Sequence, residues 1–182
     1  MKRLLLGSAL ALTGIGFRRA GAADDTYKTR LFGAIPNIAV RGIPSAGAPW
    51  VAGPSKVALG NDGSLRVRIR GLVLAAGLTA AGTPLPPALV GTNPVSQVKI
   101  AVTWAVPASV SPSAVFVQET PVLPLDANGD LAAMTTVGPP PPSAERPVIL
   151  VRIANAATGA SGPFIALSDF ARDFGSADRD DD

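Results

Sequence analysis

The stretch from Lys56 to Arg70 constrains the fold more than any other part of the chain. Lys56-Val57-Ala58-Leu59 leads into Gly60-Asn61-Asp62-Gly63, and Ser64-Leu65-Arg66-Val67-Arg68-Ile69-Arg70 follows. Leu65, Val67 and Ile69 alternate with three arginines. Successive side chains of a strand point to opposite faces, so a period of two puts the apolar set on one face and the guanidiniums on the other. A helix would scatter both sets around its axis. Asp-Gly between two such runs is a hairpin signal, because both residues tolerate positive φ.

Other segments repeat the pattern. Ser96 to Val106 sets Val98, Ile100, Val102, Trp104 and Val106 against Gln97, Lys99, Ala101, Thr103 and Ala105. This predicts a half-buried strand with Trp104 pointing into the core. Val115 to Glu119 is a further strand. Val122 to Leu125 and Leu131 to Val137 flank Asp126-Ala127-Asn128-Gly129-Asp130 and read as a second hairpin. Val148 to Ala154 is nearly continuously apolar, as suits a central strand covered on both sides, and Phe164 to Leu167 closes the set. Leu31 to Val40 is apolar but broken by Gly33 and Pro36, which predicts an irregular or edge strand. Gly42 to Pro54 reads as loop with Trp50 buried beneath it. Leu72-Val73-Leu74 is apolar on both faces and should be more deeply covered. Ala75 to Asn93 reads as a long connection in which a short helix is optional. Pro139 to Pro142 make a stiff extended link.

Glycine 19 and proline 18 together make about one residue in five, which disfavours long helices. The expected architecture is all-β: an antiparallel β-sandwich, immunoglobulin-like or related, of seven to eight strands. A small β-barrel is the alternative.

Histidine and cysteine are both 0. This removes Ser-His-Asp and Cys-His machinery, imidazole bases, thiol nucleophiles, disulfides, iron–sulfur clusters and thiolate zinc sites. Carboxylates, hydroxyls, Lys and Arg remain, which suit Ca²⁺ or Mg²⁺, sugars and anions. No cofactor is expected.

The amino end reads as an export signal over 1–22. Met1-Lys2-Arg3 is basic, Leu4 to Phe17 is apolar, and Ala20-Gly21-Ala22 offers a small-x-small cleavage pattern. The apolar run is shorter than the roughly 20 residues that span a bilayer. Secretion to the periplasm or cell surface is therefore expected, with no transmembrane segment in the mature chain. Cleavage after Ala22 removes four basic groups and no acid, leaving 12 basic and 13 acidic residues, net −1. The formal charge of +3 on the whole chain is thus no argument for nucleic acid as a partner. Few lysines, many arginines and abundant Ala, Gly, Pro and Val match a GC-rich bacterial gene. About 160 mature residues suffice for one disulfide-free domain, since a chain of this size buries roughly 70% of its unfolded surface. We place a flexible leader over 23–29, one β-sandwich domain over 30–168 and an acidic tail over 169–182.

The pieces LRVRIRGLVL, GTNPV and VKIAVTW within Gly63 to Trp104, and the closing PVILVRIANAATGASGPFIAL, resemble a pattern found in secreted bacterial β-domain proteins with no assigned activity. The resemblance covers about two thirds of the mature chain. It implies a secreted β-domain and carries over no catalytic residue.

Four constellations are candidates for function. Arg66, Arg68 and Arg70 stand about 7 Å apart along one strand and suit a polyanion such as a cell-wall phosphate polymer, an acidic glycan or nucleic acid, the last weakened by the lack of interleaved aromatics. Alternatively they solubilise an exposed strand. Asp126-x-Asn128-x-Asp130 resembles the start of a Ca²⁺ loop, but Leu131 stands where the loop glycine belongs and Val137 where the closing acid belongs. A turn explains these residues without metal. A carboxylate hydrolase needs two acids about 5–10 Å apart, and the available acids are Asp62, Glu119, Asp126, Asp130 and Glu145. Three of these fall in expected turns, and Glu119 has no evident partner. A Ser–Lys dyad would draw on Lys28, Lys56 or Lys99, and Ser96-Gln97-Val98-Lys99 has the S-x-x-K spacing. The last candidate is the loop set of Trp50, Gly91 to Pro94 and Asn155 to Gly162, with Trp50 more plausible as a core plug than as a sugar platform. The expectation is a secreted or envelope-associated domain that works by binding or by its structure rather than by catalysis, with an envelope glycan or a protein as partner; the alternatives are a polyanion- or glycan-binding adhesion module using Arg66, Arg68 and Arg70, and a carboxylate-dependent hydrolase.

Overall fold

A computed structural model describes residues 25–168, with only the backbone for Asp25 and Thr26. The expected export signal over 1–22, the first two leader residues and the acidic tail lie outside the described residues. The fold is all-β and antiparallel. Its strands are β1 (Asp25–Gly33), β2 (Ala39–Val40), β3 (Ile43–Pro44), β4 (Trp50–Val51), β5 (Ser55–Gly60), β6 (Ser64–Ile69) and β7 (Val73–Leu74), then β8 (Gln97–Ala105), β9 (Val115–Glu119), β10 (Leu123–Pro124), β11 (Leu131–Thr136), β12 (Val148–Ala154) and β13 (Ser161–Ser168). A single 3-10 turn covers Pro87–Leu89. No helix among the described residues is long and apolar enough to cross a membrane.

Nine strands form one sheet in the order β10-β8-β12-β13-β1-β5-β6-β11, with β9 beside β10 on the outer edge of β8. The sheet curls into a half-barrel. The architecture is therefore a single curled sheet, nearer to the barrel alternative than to two facing sheets. Small pairs, β2 with β3 and β4 with β7, lie against it.

The core fills the concave side. Val57, Leu59, Leu65, Val67 and Ile69 meet Val98, Ile100, Val102, Trp104, Ile149, Val151 and Ile165 there. Trp50, Leu72, Leu74 and Leu85 plug the remaining space, all under 10% exposed. Trp50 is thus the expected plug, and its buried indole N–H has no hydrogen-bond partner among the described residues. Gly33 is required where β1 passes this plug, because a Cβ there would lie 2.1 Å from the Trp50 carbonyl oxygen.

Several expectations change. Residues 25–29, read as leader, are the start of β1, in register with β5 from Tyr27↔Leu59 to Leu31↔Ser55. The β5–β6 hairpin forms, but Gly63 alone takes positive φ (+80°). Asp62 instead accepts the Ser64 N–H at 2.9 Å. Asp126 to Asp130 is not a hairpin turn. It joins β10 and β11, which are the two opposite edges of the sheet and pair with β8 and β6. Strand β8 is not half-buried, because Ala101 and Thr103 on its outer side are also fully covered.

That cover is the segment from Ala34 to Ala46. It crosses the convex side of β8, β12 and β13 and builds a second small core of Ala34, Val40, Ala101, Val148, Leu150 and Phe164. Its β2–β3 link, Arg41-Gly42, has φ of +51° and +80°, the double positive φ of a type I′ turn. Arg41 adopts this costly conformation because its guanidinium is anchored. It donates to the Thr103 carbonyl, to Thr103 Oγ1 at 3.3 Å and to the Arg146 carbonyl at 3.1 Å. Burial lowers its pKa from the ordinary arginine value, opposed by Glu145 and Tyr27.

Candidate functional site

The other half of the convex side has no such cover among the described residues. Along β6 and the residue after it the burial alternates as the sequence predicts: Leu65, Val67 and Ile69 are buried, and Arg66, Arg68 and Arg70 are exposed. Register then decides what stands beside them. Lys56 of β5 faces Arg68 on one side and Arg30 of β1 on the other. Ala132 of β11 completes this row. The next row runs Lys28, Ala58, Arg66 and Met134. The face thus gathers Lys28, Arg30, Lys56, Arg66, Arg68 and Arg70, six of the ten Lys and Arg residues in the described chain. All six are exposed, and Met134 at the end of the second row is 79% exposed.

Neighbouring strands lie about 4.8 Å apart, so Arg30, Lys56 and Arg68 set three cations across roughly 10 Å. Like charges directly opposite on a sheet repel. None of the three has an ion-pair partner among the described residues. Arg70 differs: its Nη1 lies 2.7 Å from Asp130 Oδ2. The Asp130 carboxyl pKa is lowered, first by the Gly71 N–H donating to Oδ1 at 2.8 Å and then by Arg70. Arg70 is thus tied to the adjoining loop through Asp130, while Arg66 and Arg68 stand in the two rows of a wider array. Sequence reasoning found the β6 cations by their spacing. It missed Lys28, because 23–29 was read as leader, and Arg30 and Lys56, because no local signal gives register between strands.

The remaining candidates are occupied by local structure. Asp126 Oδ1 accepts the N–H groups of Asn128 and Asp130 at 2.9 and 2.8 Å, while the Asp130 carboxylate turns away to Arg70 and Gly71. These two acids do not converge with Asn128 on one point. Asp62 has its pKa lowered chiefly by hydrogen bonds from Ser64 within the hairpin. Glu119 does have partners: Arg152 Nη1 at 2.5 Å, the Ser161 hydroxyl at 2.5 Å and Lys99 at 3.7 Å. No Asp or Glu with a described side chain is buried, and no cluster of three metal-ligating residues occurs among the described residues. Glu145 stands alone as an acid in an open cleft of about 370 Å³ lined by Ala105, Val106, Pro107, Ala114 and Ser143. Asn93 spends its amide on the Val95 and Asp126 carbonyls, and Asn155 holds its own loop through the Ala157 and Thr158 N–H groups.

No family model, curated protein or solved structure matches this chain, so the reading of the basic face rests on its own geometry.

Proposed function

We propose that this is a secreted or envelope-associated binding domain, acting without catalysis, whose open basic sheet face holds a polyanion. The shared chemistry of the partner is a chain of regularly spaced phosphate, sulfate or carboxylate groups, as in an acidic surface glycan or a cell-wall phosphate polymer. One observation carries the reading: Arg30, Lys56 and Arg68 stand in register on three adjacent strands, exposed and without an ion pair among the described residues. Such a row is repulsive by itself and is relieved by a bound anion. Arginine and lysine together suit this role, the forked guanidinium gripping oxyanions in pairs and the ammonium acting as a point charge. Nucleic acid is disfavoured, because no Phe, Tyr or Trp stands between the cations of the two rows to stack on bases.

The test is binding of labelled polyphosphate and of dextran sulfate to the full chain across a salt series. Affinity should fall steeply with salt, by about 0.7–0.9 in log–log slope per contacting cation. Arg30, Lys56 and Arg68 replaced together by Gln should reduce that slope by about two to three. Salt-independent binding, or binding unchanged in the triple variant, would overturn the proposal. A preference between the two polymers would separate phosphate from sulfate recognition.

A further inference from the structure

We infer that the acidic tail, residues 169–182, is an internal occupant of the basic face and competes with the external polyanion. The inference rests on the polyanion reading and adds a regulator to the same site.

Three observations carry it. The first is where the fold ends. Strand β13 finishes at Ser168, which is in register with Leu31 of β1. The next residue of β1 toward its start is Arg30, the first cation of the Arg30–Lys56–Arg68 row. The tail therefore departs from the border of the face it would cover.

Charge is the second. The tail has Asp169, Asp173, Asp178, Asp180, Asp181 and Asp182 against Arg172 and Arg179, net −4. The face has six cations; Arg70 is paired with Asp130, and Arg30, Lys56 and Arg68 have no ion pair among the described residues. The two charges are opposite and similar in size. The other concentrated acid of the described chain is spent elsewhere: Glu119 on Arg152 and Lys99, and Asp126 on its own turn.

Reach is the third. From β1 to β6 is two strand spacings, about 10 Å. Fourteen residues span up to about 46 Å when extended, so every cation of the face is accessible to the tail. A tethered ligand acts at an effective concentration in the millimolar range. Weak individual contacts are then enough to compete with a polymer in solution, and the competition weakens with salt as the polymer contacts do.

The experiment compares the full chain with a variant carrying D169N, D173N, D178N, D180N, D181N and D182N. Two readouts are taken on both. Backbone amide NMR shifts at Lys28–Arg30, Lys56–Ala58 and Arg66–Arg68 should differ between the two chains at low salt and converge at 0.5 M salt. Polyphosphate binding should tighten roughly five- to tenfold in the neutralised variant at low salt. Identical face amide shifts in the two chains would overturn the tail's role while leaving the polyanion reading intact. Shift differences without polyphosphate or dextran sulfate binding by either chain would keep the tail contact and overturn the polyanion reading. The triple replacement of Arg30, Lys56 and Arg68 by Gln should abolish both readouts, and shift differences that persist in it would also overturn the proposed seat of the tail.

Discussion

The convex side of the sheet is two surfaces with opposite treatments of charge. Over β8, β12 and β13 the Ala34–Ala46 segment lays down a second core, and every cation there has a partner. Arg41 holds backbone carbonyls, and Arg152 and Lys99 hold Glu119. Over β1, β5 and β6 nothing described covers the sheet, and cations face cations across the strands. A covered surface must satisfy its charges, because water cannot reach them. An exposed surface is free to leave repulsion unrelieved, since water screens it and each contact is worth little. The difference teaches that a covered half must be organised for stability, whereas an open half can carry like charges in register across its strands.

The comparison breaks most sharply at Phe164, which is fully buried in the outer core. Phe164→Ala should cost about 3–5 kcal/mol in urea unfolding. Met134→Ala on the open half should stay within about 0.5 kcal/mol, and a comparable loss there would mean that the open face is in fact covered. Next comes Arg41→Ala. It removes the guanidinium anchors while leaving a side chain in the left-handed region, and should cost about 1.5–3 kcal/mol. Arg41→Gly should recover part of this, since glycine takes positive φ without penalty. Glu119→Gln should cost a similar or smaller amount, by leaving Arg152 and Lys99 without their carboxylate at a site only about a fifth exposed.

Smaller effects sharpen the open half. Asp130 has a folded pKa below its unfolded value near 4. Its contribution is therefore present above about pH 4 and is lost as pH falls through the folded pKa. Asp130→Asn should lower stability at pH 7, and the gap to the wild type should close in acid melts below pH 4. A gap that stays constant with pH would remove the Arg70–Asp130 pair from the account. The smallest expected effect is Lys56→Gln. It should raise the melting temperature slightly at low salt, by relieving the row, and the difference should vanish at 0.5 M salt.

How much was legible follows from the range of each signal. The β5–β6 hairpin, β8, β12 and the exposure of the β6 arginines were readable, because alternation and turn residues act within a few positions. Strand β1 was misread at its start, since Asp25 to Arg30 is polar on local inspection and becomes a strand by pairing with β5. The Arg41-Gly42 turn was not readable either. Arginine is a poor residue for positive φ, and the conformation is held by Thr103 and Arg146, 62 and 105 residues away in the chain. Asn128-Gly129 carried a true turn signal, but the partners of the strands on either side lay on opposite edges of the sheet.

By itself the sequence determined the class of the fold, the periodicity of its strands, the inward set of apolar residues and the removal of thiol and imidazole chemistry. These follow from the composition and from side-chain directions that repeat every two residues. The tertiary structure alone decided that one sheet curls on itself, that 34–46 covers half of its convex side, and that Arg30 and Lys56 join Arg68. Those facts depend on strand order and register, which are chosen by the sum of many weak long-range contacts rather than by any local run of residues.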